Sequence, residues 1–189
     1  MKETISQNGR QEQIVPVVEL NGSSHIEAVR ICEILNSTDN RPHFANPYTV
    51  PEGVLATSET NNGTHVLVSR NESGLVVATA TIHDTTYPQN DHFLSLFAVD
   101  QDYQGKGYGR KMMREALQFA FTTPNLEGRD REAIHAATVM GVDGWFRMYQ
   151  LLRTSSFIPG AIWPEQMENG NGRAYDVVRL FLQKKNWRP

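Results

Sequence analysis

The stretch from His92 to Phe121 constrains the fold more than any other part of this chain. An apolar run, HFLSLFAVD, passes through Gln101 into DYQGKGYG and then into RKMMREALQFAF, which read as strand, glycine turn and helix. Gly105, Gly107 and Gly109 let the backbone turn tightly, and a helix starting there has its first amide hydrogens unpaired. Such a terminus binds anions. It is the positive end of the helix dipole and ordinarily recruits Asp or Glu, yet here it carries Lys106, Arg110 and Lys111. Cations crowded on a positive helix end repel one another unless an anion lies among them. The stretch therefore predicts a phosphate or pyrophosphate site.

The spacing discriminates between kinds of phosphate site. A G-x-G-x-x-G dinucleotide fingerprint counted from Gly105 places its third glycine on Arg110, and the P-loop pattern G-x-x-x-x-G-K-S/T occurs nowhere in the chain. Both are excluded. What stands between strand and helix is Gln104-Gly105-Lys106-Gly107-Tyr108-Gly109, a Q-x-x-G-x-G run. It resembles the acetyl-CoA signature of the GNAT family of N-acetyltransferases, written Q/R-x-x-G-x-G/A, in which loop and helix-start amides hold the CoA pyrophosphate. The plain alternative is a glycine turn joining two core elements.

Composition bounds the class. A chain of 189 residues buries about 70% of its unfolded surface, so one domain needs no staple. Hydrophobic residues make up 39% and charged residues 21%, with a net charge of −3, which gives no compositional argument for nucleic acid as a partner. The single cysteine, Cys32, cannot form an internal disulfide and reads as a core residue of an intracellular protein. No apolar run is long enough to span a bilayer, and MKETISQNGRQEQ lacks the apolar segment of a signal peptide, so the cytoplasm is the expected location with no membrane partner.

Residues 1–13 carry almost nothing to bury and read as a flexible tail, leaving residues 14–189 as a single domain. IVPVVEL (14–20) predicts a first strand at an edge, and Ser24 with Glu27 a capping box that opens a helix ending near Asn36. Residues 37–62 are rich in Asn, Pro, Thr and Ser, with a short helix expected around 54–58. HVLVSR and LVVATATIHD flank Asn71-Glu72-Ser73-Gly74 as a hairpin. After the central helix, NLEGRDRE predicts an exposed polar loop and residues 133–140 a strand parallel to the central one. Asp143 is a candidate N-cap for a helix whose Trp145, Met148, Tyr149 and Leu152 form an inward stripe. Residues 157–163 and 174–182 predict two last strands, separated by the long turn PEQMENGNG.

This order of elements resembles the GNAT fold over residues 14–183: α/β, a mixed, mostly antiparallel sheet with a splayed parallel pair, flanked by helices. The resemblance implies that the pantetheine arm of acetyl-CoA, the co-substrate, lies in the splay against backbone groups of Phe97 and Val99. The pyrophosphate would rest on Gln104, Gly105, Lys106, Gly107, Tyr108, Gly109 and Arg110. It implies acetyl transfer to a primary amine of a small molecule or peptide; a CoA-binding sensor or scaffold with little or no catalysis is the alternative. A homodimer is left open.

The chemistry calls for a neutral amine, a stabilised oxyanion and a protonated thiolate. An amide near Phe97 or Val99 would serve the oxyanion. The family often has its acid tyrosine five residues before the phenylalanine of a Gly-Phe pair; counting from Phe157 gives Leu152, with Ser156 for the glycine, so Tyr149, one turn earlier, is the nearest substitute. Positions where the family often keeps a base hold Phe93 and Ser95. The remaining base candidates are His83 with Asp84, His92 or Asp91, and His135; transfer through bound water needs none of them. The histidines show no metal-ligand spacing, and no metal is expected.

Overall fold

A computed structural model describes residues 18–19, 25–37, 40, 51, 54, 63–84, 91–125, 127–168 and 174–188. Among them seven strands form one sheet, in the order β1-β2-β3-β4-β5-β7-β6. The strands are β1 Val18–Glu19, β2 Thr64–Arg70, β3 Val76–Asp84, β4 Asp91–Val99, β5 Ala133–Val139, β6 Ile158–Glu168 and β7 Ala174–Gln183. The helices are α1 His25–Asn36, α2 Tyr108–Thr122 and α3 Trp145–Thr154. All neighbouring strands pair antiparallel except β4 and β5, which are parallel and joined by the α2 crossover. The expected tail, the Ser24 cap, the start of the first strand and the short helix beyond Val54 lie outside the described residues.

The strand patterns sort side chains onto two faces. α2 places Met112, Met113, Ala116, Leu117, Ala120 and Phe121 against Leu67, Ala78, Ala80, Ile82, Leu94, Ile134 and Ala136. α1 packs Ala28, Ile31, Cys32, Ile34 and Leu35 on the other face, against Val66, Val68, Val76 and Ala98. Burying a side chain of Leu or Met size stabilises by about 1.5–3 kcal/mol, so the helical stripes hold both helices to the sheet. Cys32 is buried in the α1 cluster, as its pattern predicts.

Three local expectations are corrected. NLEGRDRE is not uniformly exposed: Arg131 is fully buried. Its Nε and Nη2 each lie 2.8 Å from Asp84 Oδ1, and Nη1 donates to the carbonyls of Ala120 (3.2 Å) and Thr123. The guanidinium thus caps the carbonyl end of α2 while neutralising a carboxylate from β3. Asp143 does not cap α3; Gly144 holds that position, with φ of +83° and no side-chain cap bond. The first part of the expected long turn, residues 164–168, is strand instead, because β6 stays paired with β7 as far as Glu168↔Ala174; its remainder lies outside the described residues.

Candidate functional site

α2 begins at Tyr108 with Gly107 as its N-cap; φ there is +92°, no side chain caps the helix and its first turn holds no acid. A Cβ at Gly105 or Gly107 would meet nothing within 4 Å, so glycine is dictated by the left-handed backbone and the space before the helix end is open. Lys106 and Arg110 are exposed beside it. Lys106 Nζ sits 5.0 Å over the Tyr103 ring, whose hydroxyl accepts from Asn71 Nδ2 at 2.9 Å. Tyr103, which sequence reasoning did not single out, therefore ties the loop to the β2–β3 turn. Tyr108 is fully buried and meets Tyr103 edge to face, so only its backbone can serve the loop. Lys111 departs from the expected cluster: its Nζ lies 3.6 Å from Glu115. Gly109 provides close approach, since a Cβ there would stand 3.4 Å from Val99 Cγ2.

β4 and β5 pair only from Asp91↔Ala133 to Leu94↔Ala136, although β4 runs on to Val99. β5 meanwhile stays paired with β7 as far as Val139↔Val177. The parallel strands therefore part at their C-terminal ends, as expected, beside the glycine loop. Between Thr79↔Ala98 and Thr81↔Ser95 the β4 side carries one extra residue, a bulge centred on Leu96, whose φ is +46°. The bulge reverses the alternation. Leu94 faces α2, Leu96 and Ala98 pack toward α1, and Phe97 and Val99 return to the α2 side. No residue in the sequence marks this bulge, because leucine is a poor occupant of positive φ.

The end of β4 is fixed by polar contacts. Asp100 N–H donates to the Val77 carbonyl at 2.8 Å, so by strand alternation the backbone of Val99 points away from β3 into the gap. The Val99 carbonyl accepts from Asn40 Nδ2 at 2.9 Å and from Gln104 Nε2 at 3.3 Å. Gln104 thus braces the strand end with its side chain. Asp100, in turn, accepts from Asp102 N–H at 2.8 Å and is ion-paired with Arg30 of α1.

α3 lies on the α2 side, where Met148, Tyr149 and Leu151 pack with Phe97 and Val99 against the main apolar cluster. Tyr149 is half-buried and in ring contact with Trp145 (6.1 Å) and Phe146 (6.5 Å). Within the expected inward stripe only Leu152 is buried, while Trp145, Met148 and Tyr149 stay half-exposed. Ser156 has φ of +71°, and Phe157 N–H donates to the Leu152 carbonyl at 3.1 Å, so serine occupies a helix C-terminal position that favours glycine.

The base candidates separate by face. Asp84 and His92 are drawn into the buried Arg131 group, with His92 Nδ1 2.7 Å from Asp84 Oδ1 and His65 Nε2 3.3 Å from Arg131 Nη2. His83, Phe93, His135 and Phe181 are paired in one row across β3, β4, β5 and β7, and paired residues point to the same face. That is the face opposite α2. His135 stacks on Phe93 at 5.7 Å and tilts against Phe181 at 6.3 Å. His83 Nδ1 lies 3.1 Å from Thr64 Oγ1, and desolvation lowers its pKa below the ordinary value, against an upward pull from Asp84. The side chain of Asp91 lies outside the described residues. Among the described residues no group of three or more His, Cys, Asp or Glu is placed to hold a metal ion, and no helix is long and apolar enough to cross a membrane.

Solved structures share this architecture. A spermidine N-acetyltransferase from Vibrio cholerae, in complex with CoA and spermine, is similar with a TM-score of 0.75 at 17% identity, covering 92% of this chain and 97% of that one. A ribosomal-protein-S5-alanine acetyltransferase from Vibrio fischeri is similar with a TM-score of 0.71 at 18% identity, covering 92% and 94%. A Salmonella typhimurium protein solved with its cofactor acetyl-CoA gives 0.65 at 21% identity, covering 90% and 93%. No curated protein sequence gives a significant match. The family model described as acetyltransferase (GNAT) family matches residues 29–135, more than half of the sequence and including β4, the glycine loop and α2. This chain belongs to the GNAT acetyltransferase family.

Proposed function

We propose that this chain transfers an acetyl group from acetyl-CoA to a primary amine of a small molecule or peptide. The observation that carries the reading is the adjacency of two features: an open, uncapped, cation-flanked start of α2 and a parallel pair that parts immediately beside it. A pyrophosphate fits the amides of Gln104 to Arg110 with Lys106 and Arg110 as counter-charges. An extended amide-bearing arm fits the gap, where the Val99 carbonyl is already engaged and its N–H is the group left to donate. Acetyl-CoA would supply the activated thioester. The chain's own contribution is alignment, a backbone donor near Phe97 or Val99 for the developing oxyanion, and proton management.

The acceptor amine, with an ordinary pKa of about 10.4, must lose a proton before it attacks. His83 and His135 flank Phe93 on the face opposite α2, which makes them the base candidates the fold leaves accessible, through water if not directly. Tyr149 is the side-chain candidate for protonating the departing thiolate, since it packs in the same cluster as Phe97 and Val99. A CoA-binding module with weak or no catalysis is the second reading, favoured by Leu152 at the position where the family often keeps its tyrosine. Thiol release from acetyl-CoA, measured across polyamines, amino sugars, amino acids, arylalkylamines and lysine peptides, separates the two. Turnover with one acceptor supports transfer; tight CoA binding with no turnover on any amine supports the module.

A further inference from the structure

A hydroxyl can donate one hydrogen bond and accept two, so one that is buried without a partner opposes folding. Among the described residues three hydroxyls are placed in this way: Ser69 Oγ, Ser95 Oγ and Thr138 Oγ1. Ser69 belongs to β2, paired with Ala78, and β3 stands between it and β4. The other two flank the parting of the parallel strands. Ser95 is the first residue of β4 past Leu94↔Ala136, the last pair with β5, and Thr138 lies two residues past the same point on β5. Strand alternation sets them on opposite faces, Thr138 with Ile134 and Ala136 on the α2 face and Ser95 with Phe93 on the other. Ser95 is paired with Thr81 of β3 and is followed at once by the Leu96 bulge. It is half-buried, with its exposure on atoms other than Oγ, so a turn about χ1 between staggered wells carries the hydroxyl to the open side.

We propose that Ser95 Oγ receives the acceptor amine, accepting an N–H of the attacking nitrogen where β4 and β5 part. The inference rests on the acetyl-transfer reading. Geometry gives the place. A thioester lying in the gap from the α2 side leaves the other face to the amine, and Ser95 is where that face meets the end of the β4–β5 pairing. Chemistry gives the role. An amine whose lone pair is directed at a carbonyl carbon carries its N–H groups on the far side, where they need an acceptor. A serine hydroxyl is no base at neutral pH, but it accepts such a bond, and the bond strengthens as the nitrogen becomes positive during attack. Stabilisation that grows along the reaction lowers the barrier instead of only tightening binding, so it acts on kcat more than on KM. The C–S bond breaks as the C–N bond forms, the nitrogen gives its proton to water or to a histidine of this face, and the sulfur takes one up. The hydroxyl itself is unchanged by turnover.

The test takes the acceptor with the highest turnover in the amine panel and compares Ser95→Ala, Ser95→Thr and Ser69→Ala with the unaltered chain. The readouts are kcat and KM for thiol release, CoA affinity by titration and the urea midpoint. Removing a buried hydroxyl that has no partner does not destabilise, so both alanine variants should keep or raise the midpoint. Ser95→Ala should nonetheless lose about tenfold in kcat with CoA affinity unchanged. Ser95→Thr, which restores the hydroxyl, should recover most of that loss, and Ser69→Ala should turn over as the unaltered chain does. Unchanged kcat in Ser95→Ala overturns the inference and leaves acetyl transfer standing. A loss shared equally by Ser95→Thr or Ser69→Ala, or accompanied by a lower midpoint or weaker CoA binding, assigns the serine to packing and overturns it as well. Absence of turnover on every amine by the unaltered chain, with CoA bound, overturns both.

Discussion

Asn40 Nδ2 lies 2.9 Å from the carbonyl oxygen of Val99 and 2.9 Å from that of Ile34, so one buried amide holds the end of α1 to the end of β4. The Ile34 carbonyl lies in the last turn of α1, where it also accepts from Ser37 Oγ at 2.9 Å. The Val99 carbonyl belongs to the strand that parts from β5. By satisfying the Val99 carbonyl, Asn40 lets β4 part from β5 without leaving a buried acceptor unpaired.

Asn40→Ala should therefore act twice. Loss of the shared donor leaves Gln104 Nε2 on the Val99 carbonyl and Ser37 Oγ on that of Ile34, and should destabilise the fold by about 0.5–1.5 kcal/mol. It should also weaken CoA binding, because the strand end that positions Val99 loses its strongest tether. Denaturant melts and CoA titration on the same variant check both, and a normal midpoint with normal CoA affinity would show that Gln104 alone suffices.

Arg131 is the fold's buried charge. Arg131→Met removes the guanidinium held against the Asp84 carboxylate and uncaps α2, which should cost about 3–5 kcal/mol. The double variant Arg131→Met/Asp84→Leu should recover part of that loss. A drop under about 1 kcal/mol in the urea midpoint analysis of the single variant would mean that solvent reaches Asp84 readily.

Much of this architecture is legible in the chain, and the misses share a physical cause. The period of Met112, Met113, Ala116, Leu117, Ala120 and Phe121 reads directly as α2, and the glycines before it as its uncapped start. The hairpin, the parallel crossover and the parting of β4 from β5 follow from the same patterns and from the family resemblance. Arg131 is illegible because a buried arginine in a run of Asn, Glu, Gly and Asp looks like solvated loop until its carboxylate partner, Asp84, is brought next to it. The Leu96 bulge is illegible because tertiary pairing, and no local propensity, forces leucine to positive φ. Asn40 sits in a stretch where amide-rich composition conceals one residue with two structural acceptors. Details of this kind depend on what lies across the sheet.

His83 carries the pH signature. Its folded-state pKa lies below the ordinary 6.5, so the unfolded chain takes up a proton that the folded chain resists. Stability from this group is thus intact above about pH 6.5, falls as pH drops through it, and levels off once the folded histidine also titrates. His83→Gln should flatten the part of the stability profile just below about pH 6.5 relative to the unaltered chain. An identical slope in both would assign the acid sensitivity to other groups.

Tyr149 is tested by Tyr149→Phe, which keeps the ring contacts with Trp145 and Phe146 and removes only the hydroxyl. If the hydroxyl protonates the thiolate, turnover should fall by about tenfold or more with little change in acetyl-CoA affinity, part of the 10²–10⁴-fold typical of general acids. Full activity would assign Tyr149 to packing and leave water as the proton donor.

The most direct measurement is the affinity of CoA for Gly107→Asp beside Gly128→Asp. Both glycines adopt positive φ, +92° and +72°, and neither has a neighbour within 4 Å of an added Cβ, so backbone strain and added charge are matched between them. Only Gly107 stands at the start of α2. Gly107→Asp should lose CoA affinity by about a hundredfold or more, as expected when a carboxylate displaces charge-assisted phosphate contacts, while Gly128→Asp should bind as the unaltered chain does. Equal CoA affinity in the two folded variants would contradict the assignment of the pyrophosphate to this loop.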